Sequence, residues 1–154
     1  MKPVIRPGMP SDAAAVARLQ GHLFPDRWSV ADVKAQMSLP KAVLEVAYLA
    51  DSSSDLCGYA LGQVAVDEVE LRSIGVHPDA QNRRLGRALL KAWEIHAKSL
   101  GANRVVLEVA ENNAPARALY EAHGFQKVGH RPGYYRTGRG AAIDAFILER
   151  VLID

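Results

Sequence analysis

The amphipathic segment Leu85–Leu100 constrains the fold most, because it lies between two apolar segments that are typical of buried β-strands. Its apolar side chains recur at helical spacing, and Gly101 follows as a C-terminal stop. The flanking strands are predicted at Glu68–Val76 and Arg104–Ala110. A helix between two strands of one sheet is the usual crossover between parallel strands. The sequence therefore predicts an α/β fold with at least one parallel strand pair.

Further strands and shorter helices surround this unit. One helix is predicted after its cap at Asp12, a second from the capping-box-like pair Ser29 and Asp32 to about Met37, and a third at Ala114–His123. Apolar runs predict strands at Val4–Arg6, Val43–Ala50, Leu56–Val66, Phe125–Val128 and Ala142–Val151. Consecutive strands in the middle of the chain favour antiparallel pairing. We therefore expect a mixed, mostly antiparallel central sheet flanked by helices on both faces, in a single domain over residues 1–154.

The composition sets the broad class of protein. A chain of 154 residues is long enough for a hydrophobic core without disulfides. The single cysteine, Cys57, cannot form an internal disulfide, which fits a reducing compartment. No apolar run reaches the roughly 20 residues that cross a membrane, the N-terminus lacks a signal-peptide core, and a net charge of +2 gives no argument for nucleic acid. We expect a soluble, cytoplasmic protein without membrane or nucleic-acid partners.

The junction between the strand that ends at Val76 and the long helix predicts an anion site. The first N–H groups of a helix have no intrahelical acceptor, and together with the helix dipole they attract anions. Gly86 would let a ligand approach the backbone, while Arg83, Arg84 and Arg87 add positive charge. The inferred ligand is a pyrophosphate. The alternative is a solvated basic turn.

The same segment resembles a family signature. Gln81-Asn82-Arg83-Arg84-Leu85-Gly86 is similar to the Gln/Arg-x-x-Gly-x-Gly/Ala motif of the GNAT acetyltransferases, with Arg84 at the position of the first glycine. A second register, Arg83-x-x-Gly86-x-Ala88, also fits that motif. The resemblance implies that pantetheine lies along the backbone of Ile74 and Val76. It also implies that the pyrophosphate of coenzyme A is bound by Gln81, Arg83, Arg84, Leu85, Gly86, Arg87 and Ala88.

A second signature lies closer to the C-terminus. Asn113, Ala116, Leu119-Tyr120 and Gly124-Phe125 form N-x-x-A-x-x-L-Y-x-x-x-G-F, which resembles the second GNAT motif. The resemblance implies an N-acetyltransferase with acetyl-CoA as cosubstrate, in which Tyr120 protonates the departing thiolate and Asn113 contacts pantetheine. The alternative for Tyr120 is a core position, because it shares an apolar stripe with Ala116.

Glu108 is the candidate general base. A protonated amine must lose a proton before it attacks a thioester, and a carboxylate can accept that proton directly or through a water molecule. Burial raises the pKa of a carboxyl group, so a carboxylate in an apolar strand suits this role. The alternative is that Glu108 faces solvent at a strand edge. A strand N–H near Val76 is the expected donor to the acetyl oxygen.

Covalent and metal chemistry are disfavoured. Cys57 could act as a nucleophile, but no histidine has an evident base relationship to it and Leu56–Ala60 is typical of a core strand. We therefore expect direct attack of the amine on acetyl-CoA. The histidines show no metal-ligand spacing, so no metal is expected.

The acceptor side resembles the RimI type of GNAT enzyme, which acetylates the N-terminal alanine of a ribosomal protein. Phe24-Pro25 and Trp28-Ser29 match one RimI element with Asp26 and Arg27 inserted, and the other matching segments are Leu107–Val109, Pro132–Tyr135 and Ala142–Ala145. The resemblance implies that Trp28, Tyr134 and Tyr135 border the groove for a protein N-terminus. The alternatives are a small amine (a polyamine, an amino acid or an antibiotic) as acceptor, or a non-catalytic acetyl-CoA sensor. The oligomeric state is left open.

Overall fold

A seven-stranded sheet forms the centre of the protein in the computed structural model, which describes residues 3–49, 55–81, 84–136 and 142–152. The strand order is β1-β2-β3-β4-β5-β7-β6. The strands are β1 (Pro3–Pro7), β2 (Ala42–Leu49), β3 (Leu56–Ala65), β4 (Glu68–Val76), β5 (Arg104–Ala110), β6 (Gln126–Arg136) and β7 (Ala142–Val151). The helices are α1 (Ala13–Leu23), α2 (Val30–Met37), α3 (Leu85–Ser99) and α4 (Ala114–Ala122), with short 3₁₀ turns at Pro10–Asp12 and Pro78–Ala80.

The pairing of β4 with β5 is parallel, as the crossover through α3 predicts. Their register covers only the segments Glu68–Glu70 and Arg104–Val106. In β4, Leu71 pairs with Gly62 and Ser73 with Leu61, so Arg72 is an extra, bulged residue opposite β3. A bulge bends its strand. From this point the two strands have no described pairing, and we call the region between their C-terminal halves the gap.

Helices cover both faces of the sheet, which confirms the predicted mixed α/β class. Ala60 of β3 belongs to a core cluster with Trp93 of α3, while its neighbours Tyr59 and Leu61 belong to a cluster with Val16 of α1. This alternation follows from the two-residue period of a strand. The indole N–H of Trp93 donates to the Val43 carbonyl at 3.1 Å, which fixes α3 to the sheet. None of the described helices has the length and apolarity that a membrane span requires.

Two local predictions need correction. Asp12 does not cap α1 with its side chain. Its carboxylate instead accepts bonds from the Arg6 guanidinium, the Met9 N–H and the Tyr48 hydroxyl. The capping box of α2 is confirmed, because Ser29 and Asp32 exchange side-chain-to-backbone bonds of 2.8 and 3.0 Å.

The strand predicted at Phe125–Val128 is also wrong in extent, since β6 runs from Gln126 to Arg136. Glycine and proline usually end a strand, and this segment contains Gly129, Pro132 and Gly133. The strand nevertheless continues to Arg136, because it pairs with β7 on both sides of these residues. The pairing of β6 with β7 shifts register twice, between Lys127 and Gly129 and between Arg131 and Tyr135. Tertiary pairing therefore overrides the local preference for a turn.

Candidate active site

The open edge of β4 presents backbone groups to the gap. The His77 N–H donates to the Cys57 carbonyl of β3 at 2.8 Å. Because successive residues of a strand direct their backbone groups to opposite sides, Val76 and Ile74 face away from β3. The side-chain amide of Gln81 donates to the Val76 carbonyl at 3.0 Å, which leaves the N–H of Val76 facing the gap. Ile74 and Val76, the predicted pantetheine contacts, thus lie at this edge.

The N-terminus of α3 lies beside the same edge. The first helical hydrogen bond runs from the Ala88 N–H to the Arg84 carbonyl, so the N–H groups of Leu85, Gly86 and Arg87 have no intrahelical acceptor. Such N–H groups suit a phosphate. The Leu85 side chain is buried, so only its backbone is available to a ligand, whereas Arg87 and Ala88 are exposed. Asn82 and Arg83 lie outside the described residues.

Gly86 keeps a space open between three elements. A methyl group on Gly86 would lie 3.5 Å from Leu119 of α4 and 3.8 Å from Val76 of β4. A larger side chain would extend into the space between β4 and α4, next to the unpaired N–H groups. The contact of coenzyme A with Gly86 stays a prediction, and the small side chain at this position is compatible with it.

Arg84 adopts a left-handed backbone conformation with φ 56° and ψ 21°. This region costs a non-glycine residue about 1–2 kcal/mol, which gives a physical reason for a glycine in the corresponding GNAT motif. An arginine in place of the motif glycine therefore adds backbone strain at this position as well as positive charge.

Helix α4 contributes Tyr120 and Asn113 on the α3 side of the sheet. Tyr120 is 6% exposed and packs edge-to-face on Phe125, with ring centroids 5.5 Å apart. Asn113 is exposed and caps α4, because its side-chain oxygen accepts from the Ala116 N–H at 3.3 Å. Tyr120 therefore combines a core position with a place on the helix beside Gly86.

Glu108 lies on the opposite face of the sheet. Val105, Leu107 and Val109 of β5 are buried in the α3 cluster, so Glu108 points away from α3 and α4. Its side chain is 27% exposed and bonds to Arg131 of β6 at 2.5 Å. The Glu108 side chain is therefore partly exposed, where the sequence predicted a largely buried carboxylate. The oxygen that does not face Arg131, Oε2, is buried and lacks a hydrogen-bond partner among the described residues.

A cavity of about 440 Å³ contains Glu108 and Trp28, two of the predicted site residues. It is lined by Trp28, Gln36, Glu70, Leu71, Arg72, Glu108 and Arg131. Each carboxylate has an arginine partner, since the Arg72 Nε lies 2.8 Å from Glu70 and Arg131 contacts Glu108. Gln36 Oε1 is the second buried side-chain oxygen without a partner in the described part of the chain. We call this cavity the acceptor cavity, and the sheet separates it from Tyr120 and Gly86.

The model of the Acetyltransferase (GNAT) family matches residues 13–125. The chain belongs to the GNAT family. A [Ribosomal protein bS18]-alanine N-acetyltransferase of Salmonella typhimurium is 41% identical over 93 residues, which are 60% of this chain and 62% of the relative. The N-alpha-acetyltransferase RimI of Mycobacterium tuberculosis is 36% identical over 91% of this chain and 87% of its own length. These relatives confirm the predicted resemblance to RimI-type GNAT enzymes.

Solved structures agree with this assignment. The crystal structure of the ribosomal-protein-S18-alanine N-acetyltransferase from Escherichia coli superposes with a TM-score of 0.84 and 30% identity, covering 97% of this chain and 94% of the other. Arabidopsis thaliana NAA60, solved with a bisubstrate analogue, gives a TM-score of 0.83 at 20% identity, covering 97% of this chain and 98% of the other, and shows the fold alone.

Five residues of the cavity lining were not anticipated: Gln36, Glu70, Leu71, Arg72 and Arg131. Arg131 lies 23 residues from Glu108 and reaches it only because β7 pairs with both β5 and β6. Tyr134 and Tyr135 lie in β6, where Tyr135 pairs with Ile143, but their side chains are outside the described part of the structure. Their acceptor role stays a prediction.

A second unanticipated cluster joins His130, Asp144 and Glu111, whose possible ligand atoms lie within 4.8 Å of one another. Asp144 accepts from the Gly133 N–H at 2.8 Å and contacts the His130 ring at 2.7 Å. The bond from Gly133, followed by that from His130, lowers the pKa of Asp144. Both oxygens of Asp144 therefore hold the irregular part of β6 against β7.

Proposed function

We propose that this GNAT protein transfers the acetyl group of acetyl-CoA to the α-amine at the N-terminus of a protein, with alanine as the preferred first residue. One observation carries the proposal. Two side chains that line the acceptor cavity, Glu108 and Gln36, each have a buried oxygen that lacks a partner among the described residues. A buried polar atom of this kind needs a partner. A primary ammonium group offers three donors and no acceptor, so it suits acceptor oxygens of this kind.

Glu108 is positioned to activate that amine. Arg131 holds one carboxylate oxygen, which fixes the Glu108 carboxyl group in the lining of the cavity. The carboxylate accepts a proton from the ammonium group, and the neutral nitrogen can then attack the acetyl carbon. The 27% exposure of the side chain allows the proton to reach solvent afterwards.

Two groups on the other side of the gap complete the transfer. Acetyl-CoA supplies an acyl group activated as a thioester. The Val76 N–H faces the gap and is the proposed donor to the acetyl oxygen as that oxygen gains charge. The Tyr120 hydroxyl is the proposed proton donor to the sulfur when the C–S bond breaks. The free N–H groups at the start of α3 and the space at Gly86 support binding of the pyrophosphate there.

The charges in the acceptor cavity favour a protein N-terminus over a polyamine. Both carboxylates of the lining, Glu70 and Glu108, are matched by Arg72 and Arg131. A polycationic small molecule would need an excess of acidic groups, and this lining has none. The names of the relatives from Salmonella typhimurium and Mycobacterium tuberculosis describe alanine and N-alpha acetylation, which supports the same acceptor class.

A competition among acceptors tests the proposal. The protein would be incubated with acetyl-CoA and a mixed panel: peptides with free Ala, Ser, Met or Gly N-termini, N-blocked lysine peptides, polyamines and aminoglycosides. Mass spectrometry should show acetylation confined to N-terminal amines, fastest at alanine. Acetylation of only the small amines would replace the proposal with the small-amine alternative. Binding of acetyl-CoA without any product would favour the sensor alternative.

A further inference from the structure

A two-residue insertion next to the acceptor cavity is held in a fixed conformation. Asp26 and Arg27 separate Phe24-Pro25 from Trp28-Ser29, the pairs that are contiguous in the RimI-type element. The side chain of Gln20 on α1 is 3% exposed and bonds to both ends of the insertion. Its amide donates to the Asp26 carbonyl at 2.5 Å, and its oxygen accepts from the Trp28 N–H at 2.7 Å. The backbone of Arg27 is therefore fixed on both sides.

The Arg27 side chain lies along α1 towards a second cationic residue. A methyl group on Gly21 would lie 3.5 Å from the Cγ of Arg27 and 3.6 Å from its Nε, so the glycine provides the surface on which this side chain rests. Arg18 and His22 lie one turn apart on α1 and share a face. Arg18 and Arg27 form no ion pair with any residue that the structure describes, although both are exposed.

These residues form a second cavity of about 290 Å³, lined by Ala17, Arg18, Gly21, His22, Arg27 and Trp28. We call it the basic groove, because its lining contains two arginines and no acidic residue. Trp28 lines both the basic groove and the acceptor cavity, so the two are neighbours. A polypeptide whose N-terminus lies at Glu108 and whose chain passes Trp28 would meet this groove.

We propose that the basic groove binds acidic side chains that follow the first residue of the acceptor, so that the protein selects N-termini with Glu or Asp at about positions two to four. An extended chain advances about 3.3–3.6 Å per residue, so a chain that passes Trp28 reaches the arginines within a few residues. The inference rests on the proposed function. A polypeptide is favoured over a nucleic acid because Trp28 belongs to the lining of both cavities and the groove offers only two arginines.

The test compares three peptides that differ only after the first alanine: Ala followed by three Glu, three Gln or three Lys, each with the same neutral tail. At low ionic strength we expect kcat/KM to be highest for the Glu peptide, lower for the Gln peptide and lowest for the Lys peptide. Each arginine should contribute a factor of about three to five to the ratio of kcat/KM between the Glu and Gln peptides. The differences should shrink at about 1 M salt, where the Debye length is about 3 Å. The preference should appear in KM, because the groove touches no reacting atom.

Charge variants connect the preference to the groove. Arg18→Gln and Arg27→Gln should each reduce the preference for Glu, and the double change Arg18→Glu/Arg27→Glu should reverse the order in favour of Lys. The rate with the Gln peptide should stay within about twofold in the single variants. Lys34→Gln on α2 is the matched control, because Lys34 is exposed and lines neither cavity. It should preserve the wild-type order.

Four outcomes would overturn the inference. Equal rates for the three peptides, or an acidic preference that survives charge reversal, would overturn it while leaving N-terminal acetylation intact. Equal rates combined with binding of a short single-stranded RNA that is lost in the double variant would assign the arginines to a nucleic acid instead. No turnover of any peptide, with acetylation of small amines, would overturn the proposed function and the groove together.

Discussion

The guanidinium of Arg131 lies 2.5 Å from one carboxylate oxygen of Glu108, while the other oxygen of Glu108 is buried without a partner among the described residues. One oxygen of the carboxylate is therefore fixed by an ion pair, and the other is available as an acceptor. An anchored base loses little freedom when an amine arrives, and such pre-organisation lowers the barrier to proton transfer. Arg131 is therefore a positioning residue for the proposed base.

Glu108→Gln should reduce kcat by about 10²- to 10⁴-fold, the usual contribution of a general base. The affinity for acetyl-CoA should be unchanged, because Glu108 lies on the face of the sheet opposite α3 and α4. Steady-state kinetics with an alanine peptide, together with calorimetric titration of acetyl-CoA, would measure both quantities. Wild-type turnover in Glu108→Gln would remove Glu108 from the mechanism.

Arg131→Met should lower kcat about tenfold, because Glu108 loses the partner that orients it. Arg131→Lys should recover part of the loss, since it restores the charge but not the planar fork. The KM for acetyl-CoA should be the same in both variants. An equal loss with Met and Lys, accompanied by a weaker binding of acetyl-CoA, would indicate a general structural defect instead of positioning.

Tyr120→Phe isolates the hydroxyl from the ring. The ring packs on Phe125 and should keep that contact, so the free energy of unfolding should change by no more than about 1 kcal/mol. The turnover should fall by about 10²-fold or more, because the departing sulfur loses its proton donor. Urea unfolding and kinetics on the same preparation separate the two effects. A stable variant with full activity would leave Tyr120 as a core residue only.

The sequence predicts the elements that depend on local patterns and misses those that depend on pairing. The helical spacing of α3 and the Ser29 and Asp32 capping box are confirmed, because both are encoded within a few residues. The contact between Arg131 and Glu108 depends on the registers of β5, β7 and β6. Since β6 shifts register between Arg131 and Tyr135, alternation along the chain cannot assign the faces of its residues.

Asp12 gives the fold a defined dependence on pH. Burial would raise the pKa of its carboxyl group, but hydrogen bonds from Arg6, the Met9 N–H and Tyr48 outweigh burial and lower the pKa to about 2, from 3.8. A lowered pKa means that the ionised form stabilises the folded state. That contribution is complete above the unfolded-state pKa and is lost as the pH falls through the folded-state value.

The free energy of unfolding should therefore contain about 2 kcal/mol from Asp12 that disappears between about pH 4 and pH 2. Urea unfolding at several pH values should show that Asp12→Asn is less stable than wild type near neutrality and that the difference narrows across this interval. Asp67→Asn, at an exposed turn position, is the control and should follow the wild-type curve. A constant difference between Asp12→Asn and wild type down to pH 2 would contradict the assignment.

Arg84 and Lys41 have nearly the same strained backbone, with φ values of 56° and 57°. Replacing either residue with glycine removes a left-handed strain of about 1–2 kcal/mol but increases the entropy of the unfolded chain by the equivalent of about 0.4–1 kcal/mol. Each variant should therefore be more stable by about 0.5–1 kcal/mol in urea unfolding. This comparison separates strain from ligand binding, because only Arg84 lies at the start of α3.

Acetyl-CoA affinity should distinguish the two variants. Arg84→Gly should weaken binding severalfold, since one cation beside the proposed pyrophosphate site is lost, while Lys41→Gly should leave the Kd unchanged. Isothermal titration at two salt concentrations would show a smaller salt dependence for Arg84→Gly, as expected when a charge contact is removed. Tighter binding in Arg84→Gly would show that the guanidinium obstructs the loop, and the glycine of the family motif would then be the better ligand for the phosphates.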